Sequence, residues 1–195
     1  RSGLGKTAFA VNLSDHVARQ DYNVAFFTTE MNVQQLWERF MSSRTRVPLV
    51  RMRSGNFIND DWSKLVSGIS HPEGYGQIFI DDSSSPSIGE CTSRLVRLSR
   101  KVKIHLVVID YLQRMHGVGA NREQEVRGIV QGGKSLAKKM NASVMMVSSL
   151  TKEAHRSKDG LLSTLRDSGA IEYEGDVVMF LDWETETETK AGVTA

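Results

Sequence analysis

The alternation of short apolar runs with amphipathic stretches most constrains what this chain can fold into. The apolar runs are mostly continuous and rich in β-branched residues, as in strands that are covered on both faces. The stretches between them repeat apolar residues at helical spacing. This alternation predicts an α/β fold with a mostly parallel central sheet flanked by helices. We expect strands over 23–29, 77–81, 104–110, 142–148 and 176–182, and helices over 5–20, 33–45, 60–70, 87–102 and 122–140.

Two of the expected helices carry local signals. Ser87 followed by Glu90 is a capping-box pattern at the start of the helix over 87–102, and Cys91 lies on its apolar stripe, where we expect it to be buried. Gly132 and Gly133 lie inside the helix over 122–140. Because each interior glycine costs roughly 1 kcal/mol relative to alanine, we expect that helix to kink or break there.

Length and charge limit the classes of protein that remain. The 195 residues fit a single domain over 1–195, in which 183–195 forms a flexible tail or a hairpin arm. The 25 basic and 23 acidic residues leave a net charge of +2, so any contact with nucleic acid would be local. A single cysteine excludes an internal disulfide, and no apolar run approaches the ~20 residues of a membrane span. We expect a soluble, cytoplasmic protein.

The opening residues read as the end of a phosphate-binding loop, G-x-x-x-x-G-K-[ST]. Backbone N–H groups of Ser2, Gly3 and Gly5, with the start of the following helix, would face phosphate oxygens. Lys6 would reach the β- and γ-phosphates, and the Thr7 hydroxyl would bind Mg²⁺. The alternative is a chance Gly-Lys-Thr at a helix start. Since the motif's first glycine would precede the first residue, we expect a fragment that lacks the N-terminal strand leading into the loop.

Two carboxylates follow expected strands. Asp110 ends the strand over 104–110, where P-loop enzymes hold Mg²⁺, usually through water; the alternative is an aspartate that starts a turn. Glu30 follows the strand over 23–29, at the edge where ligands of α/β sheets bind. It would activate an attacking water. The alternative for Glu30 is a capping carboxylate for the helix over 33–45.

Five segments together resemble the C-terminal RecA-like motor domain of DnaB-type replicative DNA helicases. The resemblance covers nearly the whole chain and keeps the order of the motifs, which makes it far more specific than a phosphate loop alone. It implies a RecA-like P-loop NTPase fold, and a hexameric ring that hydrolyses NTP between subunits and translocates on single-stranded DNA. The segments are Gly-Leu-Gly-Lys-Thr-Ala-Phe-Ala (3–10), Phe-Phe-Thr-Thr-Glu-Met (26–31), Val-Val-Ile-Asp-Tyr-Leu-Gln (107–113), Leu-Arg-Asp-Ser-Gly-Ala-Ile-Glu (165–172) and Asp-Val-Val-Met-Phe-Leu (176–181).

The resemblance also implies roles for individual residues. Lys6 and Thr7 match the nucleotide-binding pair, Glu30 matches the catalytic glutamate, and Asp110 matches the Mg²⁺-associated aspartate. ATP and Mg²⁺ are the implied cofactors. The implied partners are single-stranded DNA, further copies in a homo-hexamer, and a primase and a helicase loader that bind through regions outside this chain. Arg166, Asp167 and Gly169 match a loop that touches the DNA backbone, for which the alternative is a surface arginine near a carboxylate.

The stretch over 114–127 follows the Asp110 strand, where this fold places another loop of the central channel. Arg114, Arg122 and Arg127 would contribute there; for each of them the alternative is an ordinary solvated surface position.

Two departures from the family pattern keep other functions open. The family's glutamine that senses the γ-phosphate is Ser149 here, and a serine would reach the nucleotide only through water. No arginine follows Asp176, so the family's arginine finger lies beyond Ala195 or is lost. The alternatives to a motor are a catalytically weak scaffold subunit that binds nucleotide and single-stranded DNA, and another RecA-fold ATPase such as a recombinase or clock-type ATPase. The segments over 26–31 and 165–172 argue against the last of these.

Overall fold

Four parallel strands form the sheet of this chain, in a computed structural model that describes residues 3–69, 74–149 and 174–181. The sheet order is β2-β1-β3-β4. Within the described ranges, no helix combines the length and apolar character needed to cross a membrane. The strands are β1 (Val24–Thr28), β2 (Ile78–Asp81), β3 (Leu106–Asp110) and β4 (Ser143–Val147); the helices are α1 (Lys6–Ala18), α2 (Val33–Thr45), α3 (Leu49–Ser54), α4 (Asp61–Ile69), α5 (Ile88–Ser99) and α6 (Arg122–Met140), with a 3₁₀ turn at Leu112–Arg114.

Successive residues of the central strands pack on opposite faces of the sheet, which confirms the prediction of strands covered on both sides. Phe26 and Val108 pack with residues of α1 and α2 on one face. Phe27 and Ile109 pack with residues of α5 and α6 on the other. All five residues of β1 and of β3 are buried. The α/β fold with a parallel sheet is therefore the one that the sequence predicts.

The register of the strands aligns their carboxyl ends. Thr28 of β1 pairs with Asp110 of β3, and Asp110 pairs with Val147 of β4. Phe27 pairs with Asp81 of β2. Side chains that follow these ends therefore share one edge of the sheet, the edge at which ligands bind in open α/β sheets.

Two expectations about secondary structure are wrong, and one helix was not expected. No strand forms over 176–181, where Val177 and Met179 are largely exposed. Among the described residues β4 pairs with β3 alone, so the residues over 176–181 form no ladder of hydrogen bonds with the sheet. The sequence pattern also contained no sign of α3, which runs from Pro48 at its N-cap to Gly55, a left-handed C-cap at φ 71°. Residue 182 and the expected tail over 183–195 lie outside the described residues.

The second wrong expectation concerns α6, which runs without a break through Gly132 and Gly133. Both glycines lie where a neighbouring element comes close. A Cβ at Gly132 would stand 2.7 Å from the Cγ2 of Ile88, and one at Gly133 would overlap the side chain of Met146. The glycines therefore let α6 approach α5 and β4, and this packing offsets their poor helix propensity.

The local signals in α5 are confirmed. Ser87 Oγ accepts the Glu90 N–H at 3.2 Å, and a Glu90 carboxylate oxygen accepts the Ser87 N–H at 2.7 Å, which completes the capping box. Cys91 is fully buried, and burial raises the pKa of its thiol to about 12. The thiol is thus an apolar packing group rather than a reactive one.

A buried carboxylate joins α1 to α2. Asp15 is 3% exposed and accepts hydrogen bonds from Tyr75, Arg44 and Arg19, the last at 2.9 Å. Burial alone would raise the pKa of Asp15, but the hydrogen bonds from Tyr75 and Arg44 outweigh it and hold the pKa below its usual value. The network therefore holds the C-terminal half of α1 against α2.

Replacing Asp15 with asparagine is expected to lower the free energy of unfolding at pH 7 by about 3 kcal/mol, since the buried Arg44 guanidinium loses its counter-charge. A carboxyl whose pKa is lowered by folding stabilises the fold at pH values above its pKa in the unfolded chain, near 3.8. That stabilisation is lost as the pH falls through its pKa in the folded protein. Urea unfolding at several pH values measures this. The difference between parent and variant should shrink below pH 3.8. Asp21→Asn, at an exposed left-handed position, is the control; equal losses in both variants would contradict the role of the network.

Candidate active site

The glycine-rich loop ends directly at the first turn of α1. Gly3 and Gly5 have φ angles of 91° and 86°, a left-handed conformation that favours glycine. Gly5 is the N-cap of α1, no side chain caps the helix, and its first turn contains no acidic residue. With glycine at the N-cap and no acidic residue in the first turn, this helix start has the form of an anion-binding site. Ser2 lies outside the described residues.

Thr7 and Asp110 meet although 103 residues separate them. The Thr7 hydroxyl donates a hydrogen bond to Asp110 Oδ2 at 2.6 Å. Thr7 lies in the first turn of α1, and Asp110 ends β3, so the contact joins the loop to the central strand. Asp110 is 5% exposed. Its alternative role as the start of a turn leaves the contact with Thr7 unexplained, whereas two oxygen ligands side by side suit a Mg²⁺ site.

The negative charge of Asp110 is destabilised by burial. Burial raises its pKa; the Thr7 hydrogen bond lowers it, the negative charge of Glu30 raises it, and the positive charges of Lys6 and Arg39 lower it, with a net increase. Lys6 precedes Thr7 at the start of α1, and Glu30 follows β1, whose last residue pairs with Asp110. The structure thus brings Lys6, Thr7, Glu30 and Asp110 to one edge of the sheet, while their chemical roles stay predictions.

Glu30 lies just beyond β1, exposed at this edge. The turn that carries it is fixed on both sides: Thr29 N–H donates to the Asp110 carbonyl at 2.8 Å, and Met31 N–H donates to Thr28 Oγ1 at 3.2 Å. The alternative role of Glu30, capping the next helix, falls to another residue. Asn32 is the N-cap of α2 and forms a capping box with Gln35. The Glu30 carboxylate is therefore not used to cap α2.

Sequence reasoning missed Arg39. It lies on α2 between the fully buried Leu36 and Phe40, half-buried, and its positive charge reaches Asp110. Its Nε is buried and has no hydrogen-bond partner among the described residues. A charged residue beside two core positions of an amphipathic helix was the signal available, since a buried guanidinium needs a counter-charge.

Ser149 is held by a residue that the sequence did not single out, Gln113. The Ser149 N–H donates to Gln113 Oε1 at 3.1 Å, and Gln113 Nε2 donates to the Ser149 carbonyl at 2.9 Å. These contacts fix the main chain of Ser149 just after β4, beside the carboxyl end of β3. The spacing of 36 residues between the two partners offers no local sequence signal.

The residues predicted to touch DNA divide into two groups. Arg114 Nη1 donates to the Thr29 carbonyl at 3.3 Å, and Arg122 donates to Glu125 and, at 2.8 Å, to the Gln113 carbonyl. Both arginines are exposed and near the candidate site. The second group, Arg166, Asp167 and Gly169, lies outside the described residues.

Replacing Asp110 with asparagine is expected to stabilise the ligand-free protein at pH 7, raising its Tm by a few degrees. The raised pKa means that ionised Asp110 costs free energy in the folded state, a cost that appears as the pH rises above 3.8. Thermal melting at pH 4 and pH 7 measures it, and the gain should be smaller at the lower pH. An equal or lower Tm at pH 7 would contradict the unfavourable burial of this charge. Asp21→Asn serves again as the exposed control.

Comparison with known proteins identifies the family of this chain. The family model "DnaB-like helicase C terminal domain" matches residues 1–194. The replicative DNA helicase DnaC of Bacillus subtilis is 34% identical over 200 residues, covering 97% of this chain and 44% of that protein. The replicative DNA helicase DnaB of Geobacillus stearothermophilus is 35% identical over 187 residues, covering 93% and 41%. The chain thus spans less than half the length of these relatives.

Solved structures give the same assignment. A structure described as a DnaB-like replicative helicase and its interactions with primase superposes with a TM-score of 0.82 at 27% identity, covering 90% of this chain and 45% of that one. A second structure, described as an ATPase domain, gives a TM-score of 0.80 at 27% identity, covering 90% and 64%. Sequence and fold agree, and the chain belongs to the DnaB-like helicase C-terminal domain family.

Proposed function

We propose that this chain is the ATP-hydrolysing motor of a replicative DNA helicase that moves along single-stranded DNA as a ring of six copies. The observation that carries the proposal is the 2.6 Å hydrogen bond between Thr7 and Asp110, with Lys6 and Glu30 at the same edge of the sheet. The contact supports an arrangement in which a phosphate-binding loop, a pair of oxygen ligands and a second carboxylate would surround one nucleotide. Membership of the helicase family supports nucleotide use.

Each of these groups has a defined task in hydrolysis. The Lys6 ammonium and the N–H groups at the start of α1 bind the phosphates and hold the nucleotide in place. Thr7 and Asp110 would hold Mg²⁺, since hydroxyl and carboxylate oxygens are the ligands that this hard cation takes. When bound, the ion supplies neutralisation of the phosphate charge. Glu30 orients the attacking water and accepts its proton.

The contact with DNA rests on residues of two loops. Arg166, Asp167 and Gly169, with Arg114 and Arg122, would bind phosphates of single-stranded DNA, which carry charge but no base identity. A motor that must pass over any sequence needs contacts of this kind. The wider partners, a primase and a helicase loader, would bind the full-length protein in the cytoplasm; the name of one structural relative includes primase.

ATP turnover by the full-length protein, with and without single-stranded DNA, tests the proposal. We expect Mg²⁺-dependent turnover that rises when DNA is added. A protein that binds ATP and single-stranded DNA without turnover would instead be a scaffold subunit of the same fold. Ser149 in place of the family's glutamine favours that second function. Absence of both turnover and nucleotide binding would overturn both.

A further inference from the structure

The 3₁₀ turn after β3 contacts several segments at the ligand-binding edge. Leu112 anchors the turn in the core at 1% exposure. Gln113 is its central residue, and its side-chain amide reaches the segment after β4 through three hydrogen bonds. Two join it to the main chain of Ser149, and the third runs from Nε2 to Ser148 Oγ at 2.7 Å. The amide thus bridges the carboxyl ends of β3 and β4.

Only a glutamine side chain satisfies all three partners at this reach. Its carbonyl oxygen accepts the Ser149 N–H, while its amide nitrogen donates to the Ser149 carbonyl and the Ser148 hydroxyl. A glutamate keeps the acceptor and loses both donors, and a methionine of similar length loses all three interactions. The position of Ser149 relative to Asp110 is fixed by the sheet, because Val147 at the end of β4 pairs with Asp110. Ser149 therefore lies two residues beyond the level of the candidate Mg²⁺ ligand.

The same turn is connected to two other segments. The Gln113 carbonyl accepts Arg122 Nη2 at 2.8 Å, which joins it to the first turn of α6. Arg114 Nη1 reaches the Thr29 carbonyl at 3.3 Å, one residue before Glu30. The turn therefore touches the segment that carries the candidate base, the segment that carries Ser149, and the helix that follows the loop over 115–121.

We propose that Gln113 is a positioning residue for hydrolysis. Its amide holds the Ser149 main chain at the nucleotide-facing edge, and its carbonyl accepts a hydrogen bond from Arg122 at the start of α6. The Ser149 side chain is short, and in this role the amide of Gln113 fixes Ser149 through its main chain instead. The inference rests on the proposed function, and it assigns a task to Gln113 that the five matching segments alone do not.

The test compares Gln113→Met with Gln113→Glu in the full-length protein. Gln113→Met is expected to lower the DNA-stimulated kcat for ATP by about 10-fold or more, since three hydrogen bonds are lost. The KM for ATP should stay within about 2-fold, because the lost contacts do not bind substrate. Gln113→Glu keeps the acceptor for the Ser149 N–H but brings a carboxylate oxygen against the Ser149 carbonyl, so its kcat should also fall below that of the parent. Gln20→Met is the matched control, an exposed glutamine whose side chain hydrogen-bonds only its neighbour His16 among the described residues.

A second measurement separates this inference from the proposed function. Amide hydrogen exchange at Ser149 should become faster in Gln113→Met by about 10-fold or more, but not in Gln20→Met, whether or not ATP is hydrolysed. If the parent shows no turnover, the proposed function fails, and the exchange result alone decides the role of Gln113. Unchanged exchange at Ser149 would overturn the inference. A kcat within about 2-fold of an active parent, or a fall in kcat matched by the same fall in Gln20→Met, would also overturn it.

Discussion

Replacing Glu30 with glutamine is expected to lower ATP turnover by about 10²- to 10⁴-fold, the contribution of a positioned general base. Glutamine keeps the size of the side chain but cannot accept a proton from water. Nucleotide affinity should change little, because the phosphate loop and the Thr7–Asp110 pair are left intact. The measurements are kcat with saturating single-stranded DNA and the Kd of a fluorescent ATP analogue. The variant is expected to be as stable as the parent, since Glu30 is exposed.

The control is Glu38→Gln, on α2, where the carboxylate pairs with Arg53 at 2.9 Å. This surface ion pair contributes little to stability, so turnover should match that of the parent. If Glu30→Gln retains turnover within about 3-fold of the parent, Glu30 is not the base, because loss of general-base catalysis costs far more.

Lys6→Ala is expected to lose most nucleotide binding, and turnover with it. Hydrogen bonds to charged groups contribute about 1.5–3 kcal/mol, so affinity for ATP should fall by about 10- to 100-fold. The loss should be larger for ATP than for AMP, because Lys6 is expected to reach the β- and γ-phosphates. Titration with fluorescent analogues of both nucleotides measures the difference.

Lys101→Ala is the matched control, since Lys101 is an exposed lysine in the turn after α5. It removes the same charge from the chain, so any general electrostatic loss of affinity would appear in both variants. Affinities of Lys6→Ala for ATP and for AMP that each match those of the parent would exclude Lys6 as a phosphate ligand.

The central strands were predictable because their signal is local. The strands β1 and β3 are continuous apolar runs, and both are fully buried as expected. The run over 176–182 has the same composition, yet no strand forms in its described part. A strand needs a hydrogen-bonding neighbour as well as suitable residues. Its composition could not supply that information.

The residues of the candidate site also differ in whether the local sequence could predict them. The pair Thr7 and Asp110 was predictable because each residue belongs to a motif whose place in a parallel sheet is known. Arg39 was missed although its place between two core positions was a local signal, whereas Gln113 was missed because its partners lie far away in the chain and no spacing connects them. The continuity of α6 was missed for the same reason, since only the fold shows what Gly132 and Gly133 face.

The absence of side chains at Gly132 and Gly133 has a mechanical consequence. These residues set how closely the middle of α6 is seated on the sheet, and Arg122 is the first residue of the same helix. Because α6 is one continuous helix, a displacement of its middle also displaces its first turn. A methyl group at Gly132, which would meet the branched side chain of Ile88, would therefore move the guanidinium of Arg122 away from the Gln113 carbonyl, although Gly132 lies ten positions further along the chain. The glycines in the middle of α6 thereby help to keep the Arg122 side chain within hydrogen-bond distance of the Gln113 carbonyl.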